Sequence, residues 1–228
     1  MAGHRILIGL FKAVAIFLAA TSANGEETND ATAAVPVDFS VNELELLDNG
    51  APIVRVEPDM SGRNAAAHVF GAIKINASLE DVWATMVDCD QAPAFVPNLI
   101  SCEIIEAAED GAYDIRKHII TYSFIGLRIE NIFRSDYKPY SEIAFKLVGG
   151  DLERQEGVWS LGASDEGEAT LVIYDAYVAL GKPVPRFLVR RGMRKDMPKV
   201  LLSLREQVLK NKDNSTKEAP MQDDGDEE

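Results

Sequence analysis

Residues 185–210, PRFLVRRGMRKDMPKVLLSLREQVLK, constrain this chain most. Val189, Met193, Met197, Val200, Leu201, Leu204 and Val208 recur at three- and four-residue spacing and fall on one helical face. Arg190, Arg191, Arg194, Lys195 and Lys199 occupy the other. Pro183 and Pro185 mark the entry, and Pro198 predicts a kink or a break after Met197. One long amphipathic helix must bury its apolar face against something, and what precedes it is strand after strand. The pattern predicts strands over 68–75, 100–107, 112–122, 127–136, 141–148, 157–161 and 169–179, with turn residues at 109–111, 138–139, 149–151 and 164–167. A meander of antiparallel strands curved around one helix buries both, which makes an α+β domain.

Between the first two strands lie two helical pieces. Asn76 or Ser78 caps the first, with Glu80 and Asp81 at its positive dipole end, and it stops near residues 88–90. The second spans 91–97 and carries Pro93 and Pro97. Upstream, two strand-like runs flank Asn49 and Gly50, which predicts a hairpin within 41–64. In the later strands Leu127, Ile129 and Phe133 alternate with Arg128, Glu130 and Arg134, so one face of the sheet is covered and the other wet.

Both ends read as segments outside the core. Residues 1–23 have the parts of a signal peptide: His4 and Arg5, an apolar stretch over 13–20, then Thr21, Ser22 and Ala23 as small residues for cleavage. Lys12 interrupts the apolar run, which is too short for a comfortable membrane span. The expected location is therefore periplasmic or extracellular, with a linker over 24–40, the domain over 65–210 and an acidic, disordered tail over 211–228. Cys89 and Cys102 are the only cysteines. In an exported chain they can form one disulfide, and buried free thiols are the alternative. They are too few for a zinc site, so no metal is expected.

Net charge is −14, yet residues 184–210 carry eight basic against two acidic side chains. An acidic body gives no reason to expect nucleic acid. The basic helix suits an anionic membrane surface, through Arg186, Arg190, Arg191, Arg194 and Lys195, or is a solvated face.

ASLEDVW at 77–83, Val87 and Asp88, Phe95 to Pro97 (FVP), Gly157 to Trp159 (GVW) and the entry through Val184 and Pro185, set in this element order, resemble the START-like (helix-grip, SRPBCC) superfamily. The nearest group is its polyketide cyclase/lipid-transport and coenzyme Q-binding branch. The resemblance implies a cavity between the concave sheet and the terminal helix, holding a hydrophobic ligand such as a lipid, quinone or other isoprenoid. Trp83, Phe95, Phe133, Phe145, Trp159, Tyr174, Met193 and Met197 are then the ligand-binding candidates, each with ordinary core packing as the alternative. Arg128, Glu130, Arg134 and Arg154, with Asp175 and Tyr177, are polar candidates for the cavity or its mouth, or for the solvent face of the sheet. His68 and His118 accompany no nucleophile motif, no phosphate loop is present, and no cofactor is expected. Binding is thus the leading expectation. A cyclase- or hydrolase-type enzyme using Glu130, Tyr174 or Asp175 in the same cavity is the alternative, followed by an envelope protein-interaction module without a ligand.

Overall fold

A computed structural model of the chain describes residues 37–59, 66–122, 127–181 and 186–218. The signal peptide, residues 24–36 of the linker and residues 219–228 of the tail lie outside these. So do residues 60–65, 123–126 and 182–185.

The first described helix, α1 (Val41–Asp48), stands where the sequence predicts a hairpin. The Ser40 hydroxyl oxygen accepts from the Glu43 amide, while the Ser40 amide donates to the Glu43 carboxylate at 2.9 Å, closing a capping box. Asn49 and Gly50 end the helix instead of turning a hairpin. Asn49 Nδ2 donates to the Glu45 carbonyl, and Gly50 takes φ +71° just past the C-terminus, where a side chain would be strained. The same dipeptide serves either purpose, and the capping box upstream decides between them.

Eight antiparallel strands form one sheet in the order β1-β2-β8-β7-β6-β5-β4-β3. They are β1 (Ile53–Asp59), β2 (Ala66–Ile75), β3 (Leu99–Ala107), β4 (Tyr113–Tyr122), β5 (Leu127–Lys138), β6 (Glu142–Gly150), β7 (Leu152–Ser164) and β8 (Ala169–Leu180). The strand at 53–59 pairs with β2 and adds an edge to the expected meander. Helices α2 (Leu79–Val87) and α3 (Ala92–Phe95) follow β2, and α4 (Arg186–Glu218) closes the chain. Ser78 caps α2, its hydroxyl accepting from the Asp81 amide at 3.1 Å. This is the helix-grip α+β fold, a curved sheet gripping a long terminal helix.

α4 differs from expectation at two points. It continues through Pro198 without a break, and it runs eight residues past Lys210. Asn211 Nδ2 donates to Gln91 Oε1 at 2.6 Å and to Thr85 Oγ1 at 3.0 Å, so the start of the supposed tail is tied to α2 and the loop before α3.

α4 packs on the concave face of the sheet. Leu201, Leu204 and Val208 are fully buried with Ile73 and Ile75 of β2, Val172 of β8 and Val82 of α2. Gly71 permits a close approach, since a side chain there would press on Leu201 Cδ1 and Met197 Cε at 3.2 Å. On the convex face, Leu47 of α1 joins Ile53, Phe70, Ala72 and Ile173 in a second apolar layer. Leu204→Ala should therefore lower the unfolding free energy by about 2–5 kcal/mol, measured by urea denaturation, because the site is walled by fixed neighbours on all sides.

Candidate functional site

The apolar contents of the concave face divide into two groups. At the end held by α2, α3 and the C-terminal half of α4, the core is solid. Elsewhere an aromatic wall crosses the sheet, with Phe133 and Phe145 at 6.4 Å between centroids, Phe145 and Tyr174 stacked at 5.8 Å, and Trp159 and Tyr174 at 4.5 Å. Phe133, Phe145 and Ala176 are buried together, with Trp159 and Tyr174 packed against them. Trp159 and Tyr174 nonetheless keep accessible surface, as does Met193 on α4. Tyr174 lies on β8, between β2 and β7, and opposite Gly71. The partial exposure of these residues marks a loosely packed space, or chamber, between the wall and the N-terminal half of α4, which contributes Met193 and Met197. Burial pushes the Tyr174 phenol above its usual range, so it stays protonated.

The expected ligand-binding residues separate accordingly. Phe133, Phe145, Trp159 and Tyr174 come together as the wall. Trp83 lies 6.0 Å from Tyr137 and 5.8 Å from Tyr140, and Phe95 is buried in the core cluster against which Trp83, Trp159 and Tyr174 all pack.

The polar candidates take the alternative placement, on the outer face of the sheet. Strand neighbours point to opposite sides, so Arg128, Glu130 and Arg134 oppose Ile129, Asn131 and Phe133. Arg134 bonds Asp136 at 2.6 Å and covers the Tyr113 ring at 3.7 Å on the convex side. Arg154 pairs there with Asp59 at 2.9 Å and Glu156 at 2.6 Å, and lies over Tyr177 at 4.3 Å. His68 bonds Asp175 at 2.7 Å and stacks on Tyr177 in the same patch. These side chains pair on the outer face, within a strand (Arg134–Asp136, Arg154–Glu156) or between strands (His68–Asp175, Arg154–Asp59). Of the basic helix residues, Arg191, Arg194 and Lys195 are exposed and Arg190 is half-buried.

The polar groups that do face inward were not among the expected pocket residues. Asp114, Arg116 and His118 alternate along β4, and Asn131, Phe133 and Ser135 lie opposite them on β5. Arg116 holds Asp114 with paired bonds of 2.8 and 2.9 Å, donates to the Tyr137 hydroxyl at 2.7 Å, and donates to the Val87 carbonyl at the end of α2. His118 stands edge-on to Phe133 at 4.8 Å, and its Nε2 is buried with no hydrogen-bond partner among the described residues. Asn131, 2 % exposed, donates from Nδ2 to Gln155 Oε1, leaving its buried Oδ1 without a partner among the described residues. The alternation that set Phe133 apart from Arg134 also carried this signal. Cys89, just after α2, is joined to Cys102 on β3 by a disulfide with 5.4 Å between Cα atoms. Other grooves, of about 450 to 580 Å³, are open and rimmed by polar side chains such as Asp48, Lys74 and Arg205. No cluster of metal-binding side chains occurs among the described residues.

A family model for polyketide cyclase/dehydrase and lipid transport matches residues 75–205, more than half of the chain. The chain belongs to this family. No curated protein sequence matches it. Among solved structures, a Thermus thermophilus protein shares 24 % identity over 63 % of this chain and 98 % of its own, with a TM-score of 0.55. The Zhui aromatase/cyclase of a Streptomyces species shares 16 % over 64 % and 95 %, at 0.56. A STAR-related lipid transfer protein of Xanthomonas axonopodis shares 15 % over 68 % and 98 %, at 0.56. These likenesses are of fold, and together with the family they suggest hydrophobic ligand binding or cyclase-type activity.

Burial, and secondarily the Arg116 charge, pushes the His118 imidazole from 6.5 down to about 4. The unfolded chain takes up this proton as pH falls below about 6.5, whereas the folded chain resists until about 4. Stability from this group is therefore complete above pH 6.5 and lost as pH falls through that window. Between pH 7 and pH 5 the loss should be about 2 kcal/mol by urea unfolding. His118→Phe should remove that part of the slope, and an unchanged slope would show the ring to be solvated.

Proposed function

We propose that this chain binds an apolar small molecule, of the lipid, quinone or isoprenoid kind, between the aromatic wall and the N-terminal half of α4. The observation that carries this is the partial accessibility of Trp159, Tyr174 and Met193 inside an otherwise buried face. Methionines on the helix side adapt to a flexible chain better than branched residues do. The binding reading extends to an exported protein, for which the Cys89–Cys102 disulfide is the supporting observation, since such bonds persist in oxidising compartments. It extends also to transient contact with an anionic membrane through Arg190, Arg191, Arg194 and Lys195, with Arg186 at the head of the same helix. Among the described residues no helix is long and apolar enough to cross a membrane.

A cyclase-type enzyme is the second reading, and His118 is the observation that favours it. An imidazole kept neutral in an apolar chamber is available as a base.

Native mass spectrometry of protein purified without detergent, followed by organic extraction, tests the main proposal. A stoichiometric apolar molecule is expected, recovered unchanged from a binding protein and altered by a cyclase. An apo mass that persists after incubation with mixed lipids and quinones would sink both readings. Binding to anionic vesicles should weaken as salt rises, and binding undiminished in high salt would contradict the electrostatic contact.

A further inference from the structure

The chamber contains an unfinished hydrogen-bonding arrangement. His118 and Asn131 are register partners on neighbouring strands, and both lie on the inward face with Phe133. His118 Nε2 and Asn131 Oδ1 are both buried and both lack partners among the described residues. Buried polar atoms in native proteins are nearly always satisfied, and each exception calls for a reason. Arg190 Nε on α4 is a third such atom, but only His118 and Asn131 are register partners, and they lie together against the aromatic wall. Asp114, Arg116 and Tyr137 are mutually bonded close by.

We infer that His118 and Asn131 form the polar end of the chamber and select a neutral ligand by a hydroxyl group. The inference rests on the binding reading above and adds the chemistry of the ligand. Asn131 uses Nδ2 on Gln155, so its Oδ1 can only accept, and the ligand must supply a donor. The neutral imidazole offers Nε2 as donor or acceptor according to tautomer, so the same ligand atom is best served if it can also accept. A hydroxyl does both. A quinone or ketone oxygen has no proton for Asn131. A carboxylate has none either, and it would enter beside a guanidinium already bound to Asp114. The ligand is therefore an apolar alcohol or phenol, its body along Phe145, Tyr174 and Trp159 and its hydroxyl between β4 and β5.

Displacement of the neutral fluorescent probe N-phenyl-1-naphthylamine from the whole purified protein tests this. Oleyl alcohol should displace the probe at about tenfold lower concentration than 1-octadecene, with oleate no better than the hydrocarbon. The phenol source is distinguished by 4-nonylphenol against nonylbenzene, with the same preference expected if the chamber admits a ring at its polar end. Asn131→Leu and His118→Phe should each erase the preference for the hydroxyl while leaving hydrocarbon binding equal or stronger. Equal displacement by alcohol and hydrocarbon in the wild-type protein overturns the inference and leaves the binding reading standing, and needs no variant to fold. Variants that bind hydrocarbon yet keep the alcohol preference overturn it as well. A wild-type protein that binds neither the probe nor any of the five compounds fails the binding reading, and this inference falls with it.

Discussion

Everything in this fold depends on how α4 seats against the sheet at one end. Leu201, Leu204 and Val208 close completely on Ile73, Ile75 and Val172, and Gly71 removes the one side chain that would hold the helix away. Fully burying a side chain of this size contributes about 1.5–3 kcal/mol, so this seam supplies much of the grip. The aromatic wall lies on strands beyond this seam, where Trp159, Tyr174 and Met193 keep accessible surface.

The second constraint is polar. Arg116 binds Asp114 within its own strand and reaches the last turn of α2 through the Val87 carbonyl, where the helix dipole favours a cation. The Cys89–Cys102 disulfide ties the segment after α2 to β3 in the same region. Together they fix the helical layer relative to β3 and β4, at the opposite edge of the sheet from β1 and β2. A buried ion pair costs desolvation, and what it returns here is position. With Arg116 spoken for, His118 and Asn131 are the neighbouring strand residues on the inward face whose buried polar atoms lack partners among the described residues.

Much of the architecture was legible in the sequence. The strands, the two short helices and the buried face of α4 follow from period-two and period-3.6 patterning, and Ser78 announced α2 by its cap. The resemblance to the helix-grip superfamily rested on that order and agrees with the family match over residues 75–205. The segment at 41–48 misled because its apolar spacing fits either period, and the Ser40–Glu43 capping box was the deciding local signal. The helical extension past Lys210 was hidden by polar composition, since Asn211 holds it by hydrogen bonds and not by apolar burial. The site was less legible than the fold. Large aromatics were identifiable as inward, but chemical prominence drew attention to Arg134 and Arg154, whose strand parity sends them outward. His118 and Asn131 are inconspicuous singly, and only register makes them a pair.

The central claim is that the concave face is hollow beside the aromatic wall and solid at the Leu204 end. A crystal structure under xenon pressure tests it most directly, because xenon enters dry apolar cavities and leaves packed cores empty. The account predicts xenon in van der Waals contact with Phe145, Tyr174 and Met193, and none beside Leu204 or Val82. An interior closed by side chains along the wall, with no xenon there, would contradict it.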